Sequence, residues 1–152
     1  MQTLISFTGI ALFIAAAYSD IKTFRIPNVL VAAVALLAVT RLIVIGNSSG
    51  VLYTVGASVA LLVVGFVLFW QGFIGGGDAK LITAAALLIG YDDLLSFLVF
   101  MGICGALISL AALVTRRRLN ATKLYIPYGV AIATAGSVPL LFQSPLTVSF
   151  IG

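Results

Sequence analysis

Asp20 and Asp78 are two of only four acidic residues in this 152-residue chain, and each stands beside a polar turn at the end of an apolar run. Their settings are Ser19-Asp20-Ile21-Lys22-Thr23-Phe24-Arg25-Ile26-Pro27-Asn28 and Gly75-Gly76-Gly77-Asp78-Ala79-Lys80. An ionisable side chain at or near membrane depth is expensive, so it reads as functional and calls for a partner. Each aspartate is the other's natural partner. The chain has no histidine and a single cysteine, Cys104, inside an apolar run. A His or Cys metal centre is therefore out of reach, and Cys104 lacks an imidazole base, so it reads as a packing residue. No metal and no cofactor is expected. Peptide hydrolysis without metal, thiol or imidazole has one common solution, in which one carboxylate activates water while a second donates a proton to the carbonyl oxygen. Two carboxylates held close do not readily ionise together, so the pair retains a proton and supplies both acid and base.

The elements that must position this pair are membrane helices. Hydrophobic residues make up 62% of the chain, charged residues 8%, and the mean hydropathy is +1.28. Such values exclude an ordinary water-soluble domain. Apolar runs fall at about Leu4 to Ser19, Val29 to Ile45, Val51 to Trp70, Ala79 to Tyr91, Leu94 to Val114 and Tyr125 to Phe142. The expectation is an all-α polytopic bundle of six transmembrane helices, forming one membrane-embedded domain over residues 1–152. A crossing takes about 20 residues, so the fourth run is too short by itself. Its shortfall places the Gly75-Gly76-Gly77 segment partly within the membrane's thickness, where irregular backbone survives only beside protein or a water-filled cavity. The first run has no basic residue ahead of it and reads as a retained span rather than a cleaved signal.

Charge fixes the expected orientation. With the first break inside the cell, Lys22, Arg25, Lys80, Arg116, Arg117, Arg118 and Lys123 all lie on the cytoplasmic side, leaving only Arg41 toward the outside. The N-terminus then faces outward, and Asp20 and Asp78 emerge on the same cytoplasmic side. The basic excess is thus explained by topology and lipid contact, and no nucleic-acid partner is expected. Arg41 is expected to snorkel to the outer interface, and Asp92 and Asp93 to cap the fifth helix. Pro27 suits the first turn of the second helix. Gly56, Gly65, Gly102 and Gly105 read as sites of close helix approach.

Gly75-Gly76-Gly77 reads as a substrate-facing turn, because residues without Cβ adopt positive φ and let another backbone come close. Asp78 is expected at a helix N-terminus, which favours its anion, and Asp20 at a helix C-terminus, which does not. On that ground Asp78 is the more readily ionised member, although Lys22 and Arg25 offset the trend. Taken singly, an aspartate at a helix end is more often a cap, and a glycine run more often a flexible turn. Their coincidence at matched depth, in a chain nearly free of other acids, favours a catalytic pair.

The first-aspartate segment ending Ile26-Pro27-Asn28, the Gly75-x-Gly77-Asp78-Ala79-Lys80 motif and the late segment Ile126-Pro127-Tyr128-Gly129-Val130-Ala131 together resemble the type IV prepilin peptidase family, membrane aspartyl proteases with a GxGD motif. The resemblance covers nearly the whole chain. It implies that Asp20 and Asp78 are catalytic and that the substrate is a prepilin or pseudopilin with a short basic leader ahead of an apolar helix. It also implies cleavage at the cytoplasmic face. Longer members carry an added cytoplasmic domain, often with paired cysteines, and methylate the new N-terminus. This chain resembles the compact Flp-type, tight-adherence branch, so peptidase activity without methyl transfer is expected. Gly75, Gly76, Gly77, Lys80, Arg25, Pro27, Asn28, Pro127, Tyr128 and Gly129 are the supporting or substrate-facing candidates. Lys80 is the candidate for tuning Asp78, and Pro127 with Gly129 for bending the sixth helix toward the site. Two other classes compete: a small proton-coupled transporter, since membrane aspartates also relay protons, and a noncatalytic scaffold of a pilus assembly system.

Overall fold

The computed structural model describes residues 2–23, 25–46, 48–119 and 128–143, without the side chains at 45, 48 and 115–119. Among the described residues it is all-helical: α1 (Gln2–Thr23), α2 (Asn28–Ile45), α3 (Ser48–Trp70), α4 (Gly76–Ile89), α5 (Leu94–Leu119) and α6 (Tyr128–Phe142). Helices α1, α3 and α5 are long and apolar enough to cross a membrane, and α2 and α6 carry shorter apolar stretches. The bundle is that of a multi-pass membrane protein.

Helix α4 is the axis of the bundle. It packs against α2, α3 and α6, and more lightly against α5. Its 14 residues span about 21 Å, short of the roughly 30 Å hydrocarbon core. Small residues admit neighbours on several sides: Ala79, Ala84, Ala85 and Ala86 are all buried, together with Leu81, Leu88 and Ile89. Gly65 of α3 faces Ala79 so closely that a Cβ there would lie 3.1 Å from the alanine's own Cβ. Gly56 and Gly102, expected to serve the same purpose, instead face open space, and Gly105 approaches only Ala131, at 4.0 Å. The outer faces of α3 and α5 carry exposed Leu, Val and Phe, as a lipid-facing surface should.

Helices α1 and α6 form the second organising contact, a run of large residues set into small ones. The buried residues of α1 include Gly9, Phe13, Ala16 and Asp20, spaced by three and four so that they share one face. The matching face of α6 carries Gly129, Gly136 and Leu140. The Phe13 ring fills the space a Cβ on Gly136 would need, at 2.7 Å, and Leu140 does the same over Gly9, at 2.9 Å. Asp20 occupies the last step of this series, over Gly129.

Several local expectations are corrected. Asp20 does not end α1 but lies one turn inside it. Pro27 is the N-cap of α2 rather than a first-turn residue, its carbonyl accepting from Leu30 and Val31. Arg41 turns inward instead of snorkelling, donating to the Leu88 carbonyl at 2.7 Å and to Gln143 Oε1 at 2.8 Å. Asp93 does more than mark the start of α5, since its carboxylate accepts from Gln143 Nε2 at 2.6 Å. Cys104 is half-buried on α5. Lys123 and the side chains of Arg116, Arg117 and Arg118 lie outside the described residues.

Candidate active site

Asp20 and Asp78 border one cavity of about 230 Å³, whose other walls are Arg25, Ile26, Gly75, Gly76 and Gly77. The first aspartate arrives on α1 and the second on the opening turn of α4, and they are close enough to interact electrostatically. Asp20 is buried, with 5% of its surface exposed. Its Oδ2 accepts a hydrogen bond from the Gly129 N–H at 2.7 Å. That donor belongs to the first turn of α6, where helix N–H groups have no partner within the helix. Only glycine fits: a Cβ at position 129 would lie 2.8 to 3.0 Å from three atoms of the Asp20 side chain. Gly129 is therefore a seat for the carboxylate. Pro127, its presumed companion, lies outside the described residues.

Asp78 sits at the third position of α4 and reaches back to the Gly75 N–H at 3.3 Å, the return half of a capping box. The glycines before it are needed for proximity and not for unusual backbone angles. Gly75 has φ −72° and ψ 146°, ordinary extended values. The positive-φ turn is supplied upstream by Gly72, at φ 78°. A Cβ on Gly76 would press on the Phe69 ring at 3.3 Å, and one on Gly77 would touch Ile26 at 3.4 Å. The triple glycine thus lets the end of α3, the α1–α2 loop and the start of α4 converge on one carboxylate.

This arrangement removes the asymmetry expected between the two acids. Asp20 is near the C-terminus of its own helix, yet its carboxylate is held at the N-terminus of α6. Both carboxylates therefore face helix N-termini, and dipoles do not rank them.

The α1–α2 loop is fastened by two hydroxyls that sequence reasoning missed. Ser19 Oγ and Thr23 Oγ1 both donate to the Arg25 carbonyl, at 3.2 and 3.1 Å. These contacts hold Arg25 and the buried Ile26 in the cavity wall. The i, i+4 spacing of the two hydroxyl residues was the available signal, but a Thr or Ser near a helix end also bonds its own helix, as Thr23 does to the Ser19 carbonyl at 2.8 Å.

The remaining candidates divide. Arg25 is on the cavity. Lys80 is exposed and donates to Asn28 Oδ1 at 3.4 Å, so its described partner is a residue of α2 and not Asp78. Asn28 thus joins α2 to α4, and neither it nor Pro27 lines the cavity. Tyr128 borders a second, apolar cavity that it shares with Asp78.

A polytopic helix bundle carrying two aspartates on one cavity, the second after a Gly-x-Gly turn, defines the class. A family model described as the type IV leader peptidase family matches residues 7–110, a stretch that contains both aspartates. The prepilin leader peptidase/N-methyltransferase of Bacillus subtilis (strain 168) is 33% identical over 144 residues, which is 93% of this chain and 56% of that protein. The chain thus spans little more than half the length of this curated relative. No solved structure matches it. The chain belongs to the type IV leader peptidase family.

Proposed function

We propose that this protein is a membrane aspartyl endopeptidase that removes the short basic leader of a type IV, Flp-like prepilin, with Asp20 and Asp78 as its catalytic pair. The observation that carries the reading is the shared cavity: in a member of this family, two distant aspartates border one space walled by glycines and an extended loop. In the reaction, one carboxylate takes a proton from water as the water oxygen bonds to the scissile carbonyl carbon. The other, protonated, donates to the carbonyl oxygen. The first then gives its proton to the amide nitrogen as the C–N bond breaks, and the second takes back a hydroxyl proton, leaving an amine, a carboxylic acid and the singly protonated pair. Gly129 holds Asp20 by one oxygen, which fixes its orientation without consuming the whole carboxylate. Gly75 does the same for Asp78.

Residues 1–152 act here as one peptidase unit in the bacterial inner membrane. The site faces the cytoplasm. Lys22 near the end of α1, Arg25 in the α1–α2 loop and Lys80 near the start of α4 all lie at the carboxylate end, and Arg41 lies toward the other, which supports this orientation. The resemblance to the compact branch supports cleavage without methyl transfer. Lipid surrounds the protein and the substrate enters from it. The test is to incubate purified protein in lipid with a prepilin and read the products by mass spectrometry. Wild type should yield the leader and a pilin with an unmethylated N-terminus, and Asp20→Asn and Asp78→Asn should yield neither. Proton-coupled flux in liposomes without cleavage would favour a transporter, and unimpaired pilus assembly with both Asn variants a scaffold.

A further inference from the structure

Asp78 is the one residue shared by two cavities of different character. The carboxylate cavity gathers Asp20, Arg25 and Asp78 among glycines and Ile26. The second, of about 340 Å³, is apolar and lies between α4, α5 and α6, with Leu68 of α3 and Ile74 at its rim. Its walls have a direction. Asp78 to Ile82 on α4 and Tyr128 to Ile132 on α6 each rise about one helical turn, while α5 descends antiparallel to them from Met101 to Ser109. The cleft therefore begins at Asp78 and runs into the bundle, away from the carboxylate end. It exists because α5 packs on α6 but only lightly on α4. Its α5 wall is low: a Cβ on Gly102 would meet nothing within 4 Å.

We infer that this cleft seats the first turns of the substrate's apolar helix, just after the bond to be cut, while the leader lies in the carboxylate cavity. The inference rests on the leader-peptidase reading. A prepilin changes from charged to apolar at the scissile bond, and at Asp78 the protein changes from a cavity that gathers Asp20, Arg25 and Asp78 to one with no other charged residue in its walls. A lipid acyl chain also suits apolar walls, but gives no reason for the cleft to end on a carboxylate. The low wall at Gly102 and Gly105 admits the close approach of a second helix. The volume suits interdigitating side chains rather than an engulfed helix.

The experiment uses full-length protein in lipid vesicles and a prepilin bearing a benzophenone side chain one or two turns after the cut. Asp20→Asn, outside the cleft, traps the uncleaved substrate. Crosslinks should fall on α5 between Met101 and Ser109 and on the first turns of α6. In the active protein, Gly105→Leu should raise KM by about tenfold or more with kcat near wild type. Gly56→Leu, on α3 with open space around it, should leave KM unchanged. Crosslinks confined to other helices or to lipid overturn the docking site, as does an unchanged KM in Gly105→Leu. If that variant does not fold, the crosslinks decide. Failure of the wild type to cleave any prepilin sinks the peptidase reading instead, so the two failures are told apart.

Discussion

The two ends of the bundle's axial helix solve the same problem in opposite ways. At the C-terminal end of α4, Arg41 and Gln143 donate to the Leu88 and Ile89 carbonyls, Arg41 also donates to Gln143, and Gln143 donates to Asp93. Gln143 bridges the opposite charges of Arg41 and Asp93, and the Leu88 and Ile89 carbonyls are satisfied. At the N-terminal end, two acids of like sign border a cavity, and among the described residues each receives a single backbone N–H. A satisfied network specifies structure, whereas two carboxylates on one cavity cost stability and, on the proposed reading, are retained for chemistry. On that reading one helix carries an anchor and a reactive end.

The contrast is broken most severely at the reactive end. Asp78→Asn should lower the cleavage rate by about 10²- to 10⁴-fold, the range of general acid–base catalysis, with the fold intact by circular dichroism. Gly129→Ala should come next. Its methyl group collides with the Asp20 side chain, and a displacement approaching 1 Å is expected to cost about 10²-fold in kcat, read in single-turnover assays. The anchor should respond in stability rather than rate. Arg41→Met leaves the Leu88 carbonyl and Gln143 without their donor and should destabilise the protein by about 1–3 kcal/mol in denaturant unfolding from mixed micelles, with kcat of the folded fraction unchanged. The smallest effect belongs to neither end. Gly56→Ala, in open space within α3, should stabilise by about 0.5–1 kcal/mol through helix propensity and leave cleavage untouched.

Much of this plan was legible in the sequence because membrane helices announce themselves by length and apolarity. The six helices among the described residues, the placement of Asp20 and Asp78 on α1 and at the start of α4, and the proximity role of Gly65 all followed from local pattern. What did not follow were the faces. A helix surrounded by lipid is apolar both outside and inside, so periodicity marks the buried stripe only weakly. Gly56 and Gly102 therefore looked like packing residues, and Gly9 and Gly136 did not, although the latter two receive Leu140 and Phe13. Gly129 was visible as part of a motif, but its bond to Asp20 joins the first helix to the last and leaves no local trace. Arg41 was misassigned for a related reason, since its partner Gln143 lies just past the end of α6, and the Lys80 bond to Asn28 on α2 was hidden in the same way. The positive-φ residue before α4 was sought in the triple glycine because any of those glycines could adopt it, whereas the turn needed it only at Gly72.

The central claim is that the two carboxylates act as one unit on one bound water. Single-turnover cleavage of a prepilin by Asp20→Asn, Asp78→Asn and the double variant tests it directly, because residues that act together lose their effect together. The account predicts that the double variant is no slower than either single variant. Full activity in either single variant, or losses that multiply in the double, would contradict it.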